Sequence, residues 1–236
     1  MKSAYHVLGI IPARGGSKGI PRKNIYPICN KPLIAYTIES AQRSVRLTKL
    51  IVSTDDADIA ETARQYGAEV PFLRPAELAT DTALAIDVVR HALEFQEKHD
   101  FLQYDIVVML QPTSPLKTAQ DIDAAIGKLI ESRCDSVVTM VDVGANHPAR
   151  MYRIIDDRLV NLIDEGITMR PRQELPPVYI RNGAVYACRR DVIYRWKTLI
   201  GPDVRPWIMP LNRSVNIDDP SDIVLAERYL KTTERC

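Results

Sequence analysis

A chain of 236 residues with 46% hydrophobic content is long enough for one large domain, or one domain carrying an insertion, around a sizeable core. A formal net charge of +1 excludes the basic footprint of a nucleic-acid or membrane-surface binder, no apolar segment approaches membrane-spanning length, and the N-terminus lacks the regions of a signal peptide. Cys29, Cys134, Cys188 and Cys236 stand far apart with no C-x-x-C pair, so neither a zinc site nor a disulfide framework is expected, and the default is a reduced cytoplasmic enzyme.

Apolar runs alternate with helical patterns, which predicts an α/β fold: a mostly parallel, Rossmann-like sheet with helices on both faces. The first expected strand, residues 7–11, runs straight into Pro12-Ala13-Arg14-Gly15-Gly16-Ser17-Lys18-Gly19-Ile20-Pro21-Arg22-Lys23-Asn24. Glycines let the backbone approach a ligand closely and turn its N–H groups toward an anion. Arg14, Lys18, Arg22 and Lys23 add charge, and arginine holds phosphate with two parallel bonds. The competing reading is a solvated basic loop, but such a loop gains nothing from glycines between the charges directly after a buried strand. The spacing is neither a Walker A loop nor G-x-G-x-x-G, so it predicts a third kind of phosphate cradle, placed where ligands bind in open α/β sheets.

A helix is expected over residues 33–44 and a strand over 50–53, ending at Ser53-Thr54-Asp55-Asp56. There an aspartate is expected to cap the helix over 58–66 rather than to bind ligand. A strand over 70–73 leads into Arg74-Pro75-Ala76-Glu77-Leu78-Ala79, followed by a helix over 83–97. The strand over 106–110 feeds Gln111-Pro112-Thr113-Ser114-Pro115, a stiff loop with Gln111 placed to hydrogen-bond a polar ligand. Thr118 and Asp121 form a capping box for a helix over 119–132, and a strand over 136–141 follows. Residues 142–177 then break the rhythm, with mixed polarity, a turn at Asp156-Asp157 and several prolines. A surface loop and an insertion leaving the globular body fit that composition about equally. After a strand over 184–187 comes Ser214-Val215-Asn216-Ile217-Asp218-Asp219, in which Asn216 and Asp218 share one face. Two oxygen-bearing side chains suit Mg²⁺ held together with substrate phosphates. Asp218 is expected as the main ligand, with Asn216 offering a neutral oxygen, and Asp219-Pro220 starts a helix over 220–231.

The run PARGGSKGIPRKN, with Lys31-Pro32-Leu33-Ile34, LRPAELA at residues 73–79 and Asn182-Gly183-Ala184-Val185-Tyr186, resembles the signature of nucleotide-activating sugar transferases. The resemblance is closest to the CMP-sialic acid synthetases (acylneuraminate cytidylyltransferases), including CMP-legionaminate-type synthetases, and spans roughly the whole chain. It implies a nucleotide-diphospho-sugar transferase type of fold over residues 1–236, with residues 142–180 as an arm that embraces a second subunit of a homodimer. It implies that CTP and an acidic nine-carbon 2-keto sugar react to give the CMP-sugar and pyrophosphate, with Mg²⁺ or Mn²⁺ as cofactor. Ala13, Arg14, Gly15, Gly16, Ser17, Lys18 and Lys23 would hold the triphosphate, and Asn24, Arg74 and Ala83 the cytosine. Arg14, Lys18, Lys23 and Asp218 would carry the chemistry, and Gln111 would contact the acylated sugar. The family has an arginine near Ile180, whereas this chain places Arg181 one position later. In an extended segment that turns the guanidinium to the opposite face, favouring Arg172 over Arg181 for the sugar carboxylate. Legionaminate, another nonulosonate and Kdo remain open as acceptors, and a non-catalytic nucleotide sensor is the reading from another class.

Overall fold

The computed structural model describes residues 5–164, 171–233 and 235–236. A six-stranded sheet forms its centre: β1 (Val7–Pro12), β4 (Lys49–Ser53), β5 (Ile106–Leu110), β6 (Ser136–Asp142), β9 (Tyr179–Arg189) and β10 (Val204–Ile208). Their order across the sheet is β10-β6-β9-β5-β1-β4. β1 pairs in parallel with β4 and β5, and β10 with β6, while β9 runs antiparallel between β5 and β6. Alternation on β1 sends Val7 and Ile11 to one face, packed with Ile34 and Ile38 of α1 (Leu33–Gln42), Ile59 of α2 (Ala57–Gln65) and Ile126 of α4 (Ala119–Ser132). Leu8 and Ile10 go to the other face, against Val89 and Leu93 of α3 (Ala85–Asp100) and Ile193 of α5 (Arg190–Arg195). Burial on both faces explains why β5 reads as an unbroken apolar run. A third cluster joins Leu33 and Tyr36 of α1 to Ile217 and to Ala226 and Leu230 of α6 (Pro220–Thr232).

The expected α/β architecture is present, with four differences in detail. Residues 70–73 form no strand and keep only a parallel bridge from Leu73 to Thr54. β9 reverses direction within the otherwise parallel sheet, a choice that periodicity cannot signal. β10 and α5 are additions. Pro206 and Arg205 disguise β10 as a loop, and it tolerates the proline because it is an edge strand. The capping box of Thr118 with Asp121 and the cap of Asp219 before Pro220 form as expected.

Within residues 142–180, β7 (Tyr152–Ile155) and β8 (Arg158–Asn161) make an antiparallel hairpin outside the main sheet. Asp156 and Asp157, both at positive φ (48° and 60°), make the tight turn between them. Ile154 and Leu159 are 75% and 69% exposed. At the base of this segment His147 is buried. Its Nδ1 accepts from the Ala149 amide at 3.1 Å, which leaves Nε2 to donate to the Pro176 carbonyl at 2.9 Å.

The cysteines correct an expectation. Cys29 and Cys236, separated by 207 positions, lie with Cα atoms 4.9 Å apart and are joined as a disulfide. The chain end returns along α6 to the turn between β2 (Pro27–Ile28) and β3 (Lys31–Pro32), a proximity invisible in linear spacing. Cys134 and Cys188 are free and buried, and burial pushes the Cys188 thiol up to about 12. No helix among the described residues is long and apolar enough to cross a membrane.

Candidate active site

At the carboxyl ends of β1 and β5, Arg14, Ser17, Lys18, Lys23, Asn24, Arg74, Ala83, Gln111 and Asp218 line one cavity of about 460 Å³. The glycine loop forms one wall. Gly15 and Gly19 act by steric fit, not by positive φ. A Cβ on Gly15 would lie 2.7 Å from Asp56 Oδ2, and one on Gly19 would overlap the Asp218 carbonyl oxygen. Gly16 has open space around it. The Gly15 amide is already committed to Asp55 Oδ1 at 3.1 Å. Gly16 to Gly19 donate their amides to none of the described residues. Ala13 is fully buried and extends the β1 pairing through the Ser53 carbonyl, so its side chain stays outside the cavity.

The loop cations take three directions. Arg14 and Lys18 both reach Asp81, each at 2.8 Å, and those bonds hold the Asp81 carboxyl below its usual range. Arg22, in the left-handed conformation at φ 53°, turns away to Asp56 and Asp58 at 3.1 and 2.8 Å. Asp56 is the N-cap of α2 and accepts from the amides of Asp58 and Ile59. Lys23 crosses to the other wall, where its Nζ donates to the Ile217 carbonyl at 2.8 Å and lies 3.2 Å from Asp218 Oδ1.

Asn24 is buried, and its Nδ2 donates to the Arg14 carbonyl at 2.9 Å. Its Oδ1 has no partner among the described residues. A buried acceptor left unpaired costs about 1–3 kcal/mol, so this oxygen is suited to a donor supplied by a ligand. Arg74 is held by Ser53 Oγ at 3.1 Å, the Ser53 carbonyl and the Leu78 carbonyl. Burial pulls its guanidinium down to about 10, against the favourable charge of Asp55.

The opposite wall is one connected network. Lys117 is completely buried. It donates to Thr37 Oγ1 at 2.8 Å and to the carbonyls of Gln111 and Ser114 at 2.7 Å each, so all three ammonium protons are used although burial pushes the amine down. Ser114 Oγ donates to the Asn182 carbonyl at 3.2 Å, and the Ile217 amide to the Thr113 carbonyl at 2.7 Å. Lys117 thereby fixes the Gln111 loop, and through it the segment carrying Asp218. Asn216 directs its Nδ2 at Asp218 Oδ2, at 2.5 Å. Among the described residues no group of three or more His, Cys, Asp or Glu side chains is placed to hold a metal. A single exposed carboxylate with phosphate oxygens is nevertheless a donor set that Mg²⁺ accepts, and Asp218, its side chain 71% exposed at the cavity wall, fits that arrangement.

Arg181 meets Gln111 in a second, adjoining cavity. The expectation that its guanidinium turns away assumed a regular strand. The register between β6 and β9 instead shifts from Val138 opposite Tyr186 to Met140 opposite Arg181. Gly183 lies in that irregularity at φ +76°, where a Cβ would come 2.5 Å from Gln111 Oε1. The irregular strand resets which face each side chain takes. The Arg172 side chain lies outside the described residues. Sequence reasoning missed Asp81 and Lys117. Asp81 was legible only as part of the Asp81-Thr82-Ala83 run, and a lysine outside any charge cluster carries no sequence signal of burial.

An open α/β sheet that presents a glycine-rich, cationic cradle at its strand ends defines a nucleotide-handling enzyme. A family model described as cytidylyltransferase matches residues 8–197, and the chain belongs to that nucleotidyltransferase family. It is 34% identical to the CMP-N,N'-diacetyllegionaminic acid synthase of Legionella pneumophila, over 97% of each chain. It is 33% identical to the pseudaminic acid cytidylyltransferase of Campylobacter jejuni, over 95% of this chain and 96% of that one. A solved CMP:2-keto-3-deoxy-manno-octonic acid synthetase complexed with CTP shares the fold, with a TM-score of 0.72 at 17% identity over 97% of this chain and 99% of that one.

Proposed function

We propose that the protein transfers CMP from CTP to the anomeric hydroxyl of a nine-carbon 2-keto sugar acid. The hydroxyl oxygen attacks the α-phosphorus in line and the bond to the β-phosphate bridging oxygen breaks. Pyrophosphate leaves, and the hydroxyl proton is released to solvent. Such a reaction depends on positioning and on neutralising charge at phosphate oxygens. The observation that carries this reading is one cavity lined by Arg14, Lys18, Lys23, Asn24, Gln111 and Asp218, residues from three separate parts of the chain. Arg14, Lys18 and the open amides of residues 16–19 hold the triphosphate, displacing Asp81 from the two cations. Lys23 meets the phosphates from the side of Asp218. Asn24 Oδ1 accepts from the exocyclic amine of cytosine, which uracil lacks.

Asp218 is the residue that holds Mg²⁺ or Mn²⁺ in this reading. When bound, the ion neutralises phosphate charge as pyrophosphate departs. The exposed apolar side chains of the β7–β8 hairpin support its role as an arm clasping a second copy in a homodimer. A cytoplasmic location is part of this reading because the reaction needs CTP, with the Cys29–Cys236 pair held there in its reduced form. The test is pyrophosphate release from each of the four nucleoside triphosphates, mixed with Mg²⁺ and N-acetylneuraminic, N,N'-diacetyllegionaminic, pseudaminic or 2-keto-3-deoxy-manno-octonic acid. CTP with a nine-carbon acid is expected to react. Absence of release from every nine-carbon acid, or equal use of UTP, rejects the proposal.

A further inference from the structure

The second cavity, about 280 Å³, shares Ala85 and Gln111 with the first. A ligand in it therefore lies beside whatever nucleotide occupies the first. Met109, Leu199 and Ile200 give it an aliphatic floor. Its charged lining residues are Arg181 and Lys197, both cationic, and no carboxylate lines it. Neither cation has an ion pair or hydrogen bond among the described residues. In this they differ from Arg14, Lys18 and Lys23, each of which has an internal carboxylate partner. Both cations are exposed, and two unpaired positive charges facing one cavity suit an acidic ligand through charge complementarity.

Lys197 carries a second mark. It follows α5 with φ at 49°, a left-handed position after a helix where glycine is the usual residue and an L side chain is uncommon. The chain keeps a lysine there, and the position delivers its side chain to the cavity.

We propose that Lys197 is a specificity-determining residue for the acceptor, acting with Arg181 to hold the acid group of the sugar beside the nucleotide site. This rests on the cytidylyltransfer reading above and adds a residue to it. The two cations together take one carboxylate. A neutral acceptor offers the two cations no counter-charge and binds more weakly on that ground.

The experiment uses the full chain with CTP and Mg²⁺, and whichever nine-carbon acid it turns over. KM for the acid and for CTP are measured in the wild type, Lys197→Met, Lys197→Arg and Lys197→Gly. Inhibition by the acid's C1 carboxamide is measured in parallel. Lys197→Met is expected to raise KM for the acid about 10- to 100-fold, the loss of one hydrogen bond to a charged group, with KM for CTP unchanged. Lys197→Arg restores most of the loss. Lys197→Gly melts at or above the wild-type temperature, because it relieves the left-handed residue, yet loses acceptor affinity as Lys197→Met does. That separation rules out a merely structural role. The carboxamide inhibits the wild type and Lys197→Met equally. An acid KM within twofold of wild type in Lys197→Met, or a carboxamide weakened as much as the acid, overturns the assignment while leaving the reaction intact. A wild type that releases no pyrophosphate with any nine-carbon acid overturns the reaction itself, and the assignment with it.

Discussion

Lys117→Met removes a side chain that ties the Gln111 loop to α1. Met keeps the length and apolar volume of lysine but cannot donate. The substitution leaves Thr37 Oγ1 and the carbonyls of Gln111 and Ser114 without the bonds of 2.8, 2.7 and 2.7 Å that they accept. Each buried acceptor so abandoned costs about 1–3 kcal/mol. Against that stands the several kcal/mol spent in burying an ammonium, which Met does not incur. The net destabilisation is about 2–4 kcal/mol, and at roughly 2–4 °C per kcal/mol for a chain of this size the melting temperature falls by about 5–15 °C. The damage is directional. The freed carbonyls belong to the loop carrying Gln111, the residue assigned to the acceptor. KM for the acceptor therefore rises more than KM for CTP, whose phosphate cradle is on the other wall. Thermal melting by circular dichroism and steady-state pyrophosphate release at saturating co-substrate measure both effects. A melting temperature within 2 °C of wild type, together with an unchanged acceptor KM, refutes the role given to this lysine (threshold set at about half the smallest shift expected).

Lys23→Ala is expected to lower turnover about 10²–10³-fold, the cost of one preorganised charge at the phosphates; single-turnover rates near wild type would reject its place in the site. Asp218→Ala should need far more Mg²⁺ for half-maximal rate, and a titration curve superimposable on wild type would remove it as the metal ligand. Asp100, away from the site, tests the electrostatics. Burial alone would raise its carboxyl, but the Tyr104 hydroxyl at 2.5 Å, Gln96 and His99 more than offset that and lower it to about 2. A depressed carboxylate contributes stability that is present above the unfolded value near 4 and lost as pH falls toward 2. Asp100→Asn is therefore expected to melt lower at pH 7 while the difference closes on acidification; a constant difference from pH 7 to pH 2 would contradict this.

Much of the architecture was legible before folding, because periodicity, caps and apolar runs are local. α4 appears over residues 119–132 as the pattern predicts, capped by Thr118 and Asp121, since both depend on neighbours within four positions. The glycine-rich run after β1 marked the cradle for the same reason: its glycines and charges are contiguous. Only tertiary structure could decide what depends on distant partners. It reversed β9 between two strands and shifted the register around Gly183, which brought Arg181 back toward Gln111. It brought Cys236 to Cys29 across 207 positions. It buried Lys117 among three oxygens, paired Arg14 and Lys18 with Asp81, and left Lys197 unpaired beside the second cavity. A side chain's type is written in the chain, but its partner, and so its charge state and its role, is set by which segments the sheet brings within about 3 Å of it.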